Sequence, residues 1–91
     1  MIVKHISINV SGNVQGVFFR ASTKDVADKL GIKGFVRNEK DGSVYIEAEG
    51  EEERINQFVN WCQHGPPHAI VENVIVVEGG VQHYTKFVIN R

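Results

Sequence analysis

The chain opens on alternation. Ile6, Ile8 and Val10 are apolar, His5, Ser7 and Asn9 fall between them, and Ile2 and Val3 begin the run. A period of two places successive side chains on opposite sides of an extended backbone, so this segment predicts a β-strand, interrupted only by Lys4 near its start. Ser11 to Gly16 holds two glycines and an asparagine and predicts a loop. From about Ser22 to Leu30 the period lengthens. Val26, Ala27 and Leu30 share one helical face, with Lys24, Asp25, Asp28 and Lys29 elsewhere. Ser22 is the expected N-cap of this helix and Gly31 its C-cap position.

Alternation returns from about Lys33 to Glu39 and from Ser43 to Glu49, with Lys40-Asp41-Gly42 as the turn between them. Val44, Ile46 and Ala48 point one way; Ser43, Tyr45, Glu47 and Glu49 point the other. An antiparallel hairpin with one dry and one wet face follows, Glu47 and Glu49 lying on the solvated side. A second helix is expected from Glu51 to about His64, where Ile55, Phe58, Val59 and Cys62 recur at helical spacing. Glu51, Glu52 and Glu53 suit its positive N-terminal end, and Gly65-Pro66-Pro67 stops it. Ile70 to Val77 is a further strand, ended by Gly79-Gly80, and Lys86 to Ile89 a short last one. The order is β-α-β-β-α-β plus a short terminal strand. Right-handed crossovers place both helices on one face of an antiparallel sheet, which is the α+β ferredoxin-like sandwich. That fold hosts many unrelated activities and selects none of them.

Composition narrows the classes. With 91 residues the chain reads as a single domain over 1–91. An apolar share of 42% and a charged share of 23% speak for a folded chain rather than a disordered one. Ten Lys and Arg against eleven Asp and Glu give no general pull on nucleic acid or on an anionic membrane, so neither is an expected partner. No apolar run approaches the roughly 20 residues of a membrane span. The start, Met1-Ile2-Val3-Lys4-His5, lacks the features of a signal peptide. Cys62 stands alone and forms no internal disulfide, which suits a reducing compartment. A cytoplasmic monomer is expected.

Two stretches carry candidate chemistry. Gly12-Asn13-Val14-Gln15-Gly16-Val17-Phe18-Phe19-Arg20 joins a strand to a helix. Glycines let successive N–H groups turn into one concavity beside a helix N-terminus, a geometry that holds phosphate-like anions. Arg20 adds a planar fork able to grip two phosphate oxygens. The spacing is neither that of a P-loop nor that of a dinucleotide fingerprint. On these residues alone, a plain strand-to-helix loop with a solvated arginine is the better reading. The second stretch runs from Gly34 through Val44 to Gly50 and places Asn38 where a strand enters its hairpin. Taken alone, Asn38 reads as a turn amide bonding its own backbone.

Together the two stretches resemble the acylphosphatase family. Gly12 through Arg20 is similar to its first signature, Gly-x-Val-Gln-Gly-Val-x-Phe-Arg. Gly34 through Gly50 is similar to its second, Gly-aromatic-Val-basic-Asn-x-x-x-Gly-x-Val-x5-Gly. The resemblance spans nearly the whole chain and weakens after about Gly79. It implies the fold reached above and the metal-independent hydrolysis of acyl phosphates to a carboxylate and inorganic phosphate, without a cofactor. It further implies that Arg20 binds phosphate, that Asn38 positions the attacking water, and that the backbone amides of Gln15, Gly16, Val17, Phe18 and Phe19 cradle the phosphoryl group. Inorganic phosphate or sulfate is then a product-like ligand. The alternative from another class is a module that holds a phosphorylated or anionic ligand in the same loop without turnover.

The remaining candidates read as structural. His64 and His68 are separated by Gly65-Pro66-Pro67, which breaks any helix that would pair them, and His5 and His83 are scattered, so no metal site is expected. Cys62 falls on the apolar face of the second helix and is expected buried. Phe19 is expected in the core. Phe18 and Phe19 lie in a loop rather than on central strands, and no basic stripe accompanies them as RNA stacking requires. Arg37 is expected on the sheet face opposite Asn38.

Overall fold

The computed structural model describes residues 2–90, so Met1 and Arg91, the ends of the expected domain, lie outside it. The elements run β1 (Val3–Asn13), α1 (Phe19–Leu30), β2 (Lys33–Asn38), β3 (Val44–Glu51), α2 (Glu52–Cys62), β4 (Ile70–Gly79) and β5 (Phe87–Ile89). One sheet takes them in the order β4-β1-β3-β2-β5. The pairs β1–β3, β1–β4 and β2–β3 are antiparallel. The short β5 lies parallel to β2, which makes the expected antiparallel sheet a mixed one. The whole is the expected ferredoxin-like α+β sandwich.

Strand alternation sorts the side chains as the pattern requires. Ile6, Ile8 and Val10 on β1, Val36 on β2 and Val44, Ile46 and Ala48 on β3 are buried on the helix side of the sheet. Phe19 and Ala27 from α1 and Ile55, Phe58 and Cys62 from α2 close that core. Phe19 meets Trp61 with ring centroids 5.5 Å apart, joining the two helices. Each apolar side chain of this size contributes about 1.5–3 kcal/mol when fully withdrawn from water. Lys24 Nζ donates to the Phe87 carbonyl at 3.2 Å and fastens α1 to the last strand.

Several boundaries differ from the sequence pattern. Strand β1 continues through Ser11, Gly12 and Asn13, where a loop was expected, because a register shift between Ser11 and Gly12 keeps it paired with β4. Gly12 is required there: its φ is +127°, and a Cβ would run into the Ile70 carbonyl oxygen. Helix α1 starts at Phe19, three residues before the expected N-cap Ser22. The capping residue is Phe18, in the left-handed region at φ 63°, with no side-chain cap. Ser22 lies inside the first turn, its N–H bonded to the Phe18 carbonyl. Gly31 is the C-cap, as expected, at φ 70°. Helix α2 ends at Cys62, its expected last residues forming turns beyond it, and β4 extends to Gly79.

The expected wet face of the hairpin is not all wet. His5 and Glu49 are each 5% exposed. His5 Nδ1 lies 2.8 Å from Glu49 Oε2 and its Nε2 2.9 Å from Glu47 Oε1, both within hydrogen-bond distance. Glu49 also accepts the backbone N–H groups of Gln82 at 2.6 Å and Tyr84 at 3.0 Å. Glu47 accepts the hydroxyls of Tyr45 at 2.8 Å and Tyr84 at 3.2 Å. The segment after Gly79-Gly80 is thereby drawn across the sheet and covers this cluster. Burial pushes both carboxyls up, but these donors outweigh it and hold both below the usual glutamate range. Arg37 points to this same face, stacked 4.7 Å over the Tyr45 ring.

Candidate active site

The loop between β1 and α1 closes one end of the sheet. Gly16 has φ +74° and Phe18 φ +63°, so left-handed residues recur along the loop. Such turns carry neighbouring N–H groups toward one side. Gly16 meets the demand without cost and has open space where a Cβ would stand. Phe18 meets it against the preference of an L-residue. Among the described residues, no backbone N–H from Gln15 to Arg20 donates to another backbone group; the first that does is Ser22. The start of α1 adds its positive dipole end to these free donors.

Arg20 and Asn38 come to the same place. An open cleft of about 340 Å³ is lined by Gly16, Phe18, Arg20 and Asn38, with Val14 and Phe19 behind the loop and Ala21 and Ile89 completing the wall. Asn38 is there because Val36 and Asn38 project from the same side of β2, the helix side; alternation sends Arg37 to the other. Arg20 is held lightly: its Nη1 donates to the Asn90 carbonyl at 3.4 Å, at the long end for such a bond. Most of its fork remains available for an anion.

A glutamine side chain links the two stretches. Gln15 Nε2 donates to the Glu39 carbonyl at 2.8 Å and to the Ser43 carbonyl at 2.9 Å. The same two carbonyls close the hairpin, accepting from Gly42 and Glu39 respectively. Asp41 Oδ1 accepts both the Ser43 hydroxyl at 2.6 Å and the Ser43 N–H at 2.9 Å, which holds the Asp41 carboxyl below its ordinary value. Asn9 Nδ2 donates to Ser43 Oγ at 3.1 Å. The loop bearing Arg20 is thus hung on the turn that follows Asn38. Sequence reasoning assigned Gln15 a backbone role alone, and nothing in the pattern announced its side-chain contacts. It also missed Ile89 and Asn90, which follow a stretch with little periodicity.

The other candidates fall outside the cleft. Cys62 is fully buried, and burial pushes its thiol up to about 12. His64 and His68 are exposed. Among the described residues no cluster of three or more His, Cys, Asp or Glu is placed to hold a metal ion. No helix among the described residues is long and apolar enough to cross a membrane.

Known proteins resemble this chain in sequence and in shape. The acylphosphatase family model matches residues 6–89. An acylphosphatase of Thermotoga maritima is 48% identical over 87 residues, covering 96% of this chain and 97% of its own. An acylphosphatase structure from Coxiella burnetii superposes with a TM-score of 0.94 at 40% identity, over 97% of this chain and 93% of that one. That from Bacillus subtilis also gives 0.94, at 35% identity, over 99% and 100%. The chain belongs to the acylphosphatase family of enzymes. Its activity is the hydrolysis of acyl phosphates, and its substrate a small-molecule acyl phosphate.

Proposed function

We propose that the cleft between the β1–α1 loop and the end of β2 performs this hydrolysis with the chain's own groups and without a metal. The observation that supports this best is the run of backbone N–H groups from Gln15 to Arg20 without a backbone acceptor, in a loop whose Gly16, Phe18 and Phe19 line one cleft with Arg20 and Asn38. The amides of Gln15, Gly16, Val17, Phe18 and Phe19 cradle the phosphoryl oxygens. Arg20 adds charge-assisted bonds to them. Fixed donors of this kind stabilise the charge that spreads over the equatorial oxygens as the phosphoryl group transfers. They supply the positive potential for which a metal is otherwise recruited.

Asn38 orients the attacking water. A carboxamide takes up no proton at neutral pH, so it directs the water and does not act as its base. The water oxygen forms the new bond to phosphorus, the bond from phosphorus to the acyl oxygen breaks, and the electron pair leaves with the carboxylate. The proton from water passes to a phosphoryl oxygen. The products are a carboxylate and dihydrogen phosphate, and the charge balances. A carboxylate is a good leaving group, so positioning supplies most of what the reaction lacks. Inorganic phosphate and sulfate occupy the same cradle as product-like ligands. The protein works as a monomer in the cytoplasm.

The test is release of phosphate from benzoyl phosphate with and without excess chelator. Equal release above the spontaneous rate is expected. Release abolished by chelator would overturn the metal-free assignment. A non-catalytic anion-binding module would instead bind phosphate and release none.

A further inference from the structure

The cradle and Arg20 account for the phosphoryl half of the substrate and leave the acyl half unassigned. Phe18 stands at that point. It is 80% exposed, although phenylalanine is among the residues most often buried. The other phenylalanines each meet another aromatic ring: Phe19 meets Trp61, Phe35 meets Tyr45, and Phe58 meets Phe87. Phe18 meets none among the described residues. Its backbone is held at φ 63°, where a glycine or asparagine would sit at lower cost. A large apolar side chain kept in water on a strained backbone gains the fold nothing. Strain of this kind, maintained by its surroundings, points to use at a site.

The surroundings define the use. Phe18 lines the cleft together with Arg20 and Asn38. Ala21 and Ile89 complete an apolar side of the same wall, and Ile89 is 36% exposed. With the phosphoryl group seated on the loop amides, the acyl group extends along the rest of the cleft, whose lining includes the exposed Phe18 ring and the partly exposed Ile89. We infer that Phe18, supported by Ile89, is a specificity-determining residue that receives the acyl group and selects acyl phosphates with aromatic or bulky apolar acyl groups over small ones. The inference rests on the seating of the phosphoryl group proposed above.

The experiment compares kcat/KM for benzoyl phosphate and acetyl phosphate in the unmodified protein, Phe18→Ala and Phe18→Tyr. Both substrates carry the same phosphoryl end, so their ratio cancels damage to the cradle. The unmodified protein is expected to favour benzoyl phosphate. Phe18→Ala should lower that preference about three- to tenfold, the scale of one ring–ring contact, mainly through KM. Phe18→Tyr should restore it. A ratio unchanged within about twofold in Phe18→Ala overturns the inference. Competitive inhibition by inorganic phosphate, which has no acyl part, reads the cradle separately. If phosphate inhibition and both substrates weaken in parallel in Phe18→Ala, the ring merely holds the loop, and the inference fails while the phosphoryl seat stands. If phosphate does not inhibit the unmodified protein at all, the seat itself is wrong, and the inference falls with it.

Discussion

The side-chain amide of Gln15 donates to the main-chain carbonyl of Ser43 at 2.9 Å, 28 positions further along the chain. Through this bond and its companion to Glu39, the loop with Arg20 and the strand end with Asn38 share one anchor. Replacing Gln15 with leucine leaves two carbonyls short of a donor. Each such bond contributes about 1 kcal/mol. Gln15→Leu is expected to lower the melting temperature and to reduce kcat/KM by about tenfold, since a barrier change of about 1.4 kcal/mol suffices. Steady-state kinetics and a thermal melt check both. Unchanged turnover would show that the loop keeps its position without the glutamine.

Arg20 and Asn38 share a cleft and should separate in a mutant series. Arg20→Ala removes one or two charge-assisted bonds of about 1.5–3 kcal/mol each. Phosphate affinity and turnover should fall together. Asn38→Ala removes only the group that aims the water, so kcat should fall with the inhibition constant of phosphate nearly kept. Full turnover in Asn38→Ala rules out its water-positioning role.

Acid should act first on the cluster under the segment after Gly80. Glu47 and Glu49 have folded values depressed below their unfolded ones. Their stabilisation is therefore complete above the ordinary glutamate range and is lost as pH falls below about 4.5 through the folded values. Glu49→Gln should weaken the bonds to His5, Gln82 and Tyr84, lower stability at neutral pH by about 3 kcal/mol and flatten the acid limb. Urea titrations between pH 3 and 7 measure both, and an acid limb as steep as that of the unmodified protein would assign it to other groups.

Cys62 should be inert while the fold holds. Its thiol is buried and pushed up to about 12, so little thiolate exists near neutrality. Iodoacetamide should fail to label the native protein within the time that labels it completely in urea. Rapid native labelling would require that α2 open locally.

The order of elements was legible because Ile6, Ile8 and Val10, and later Val44, Ile46 and Ala48, alternate cleanly, while Ile55, Phe58 and Cys62 do not. The start of α1 was hidden because its cap is Phe18, whose side chain bonds nothing, whereas the better capping residue Ser22 lies a turn inside. The end of β1 was hidden by the irregular pairing at Ser11 and Gly12, which breaks alternation without ending the strand. Arg20, Asn38 and the loop amides were recognisable as a set from their two signatures. Their meeting in one cleft depends on contacts over long sequence separations. The buried pairing of His5 with Glu47 and Glu49 left no trace either, since a polar alternation looks the same whether solvent or another segment covers it.

The loop that faces the cleft springs from β1, and β1 lies between β3 and β4, strands that begin about 40 and 70 residues into the chain. Neither neighbour is local, so the strand has no early partner with which to form a lasting piece of structure. Catalytic competence is therefore a late and collective property of this polypeptide. Turnover should return late in refolding, after the sheet has assembled.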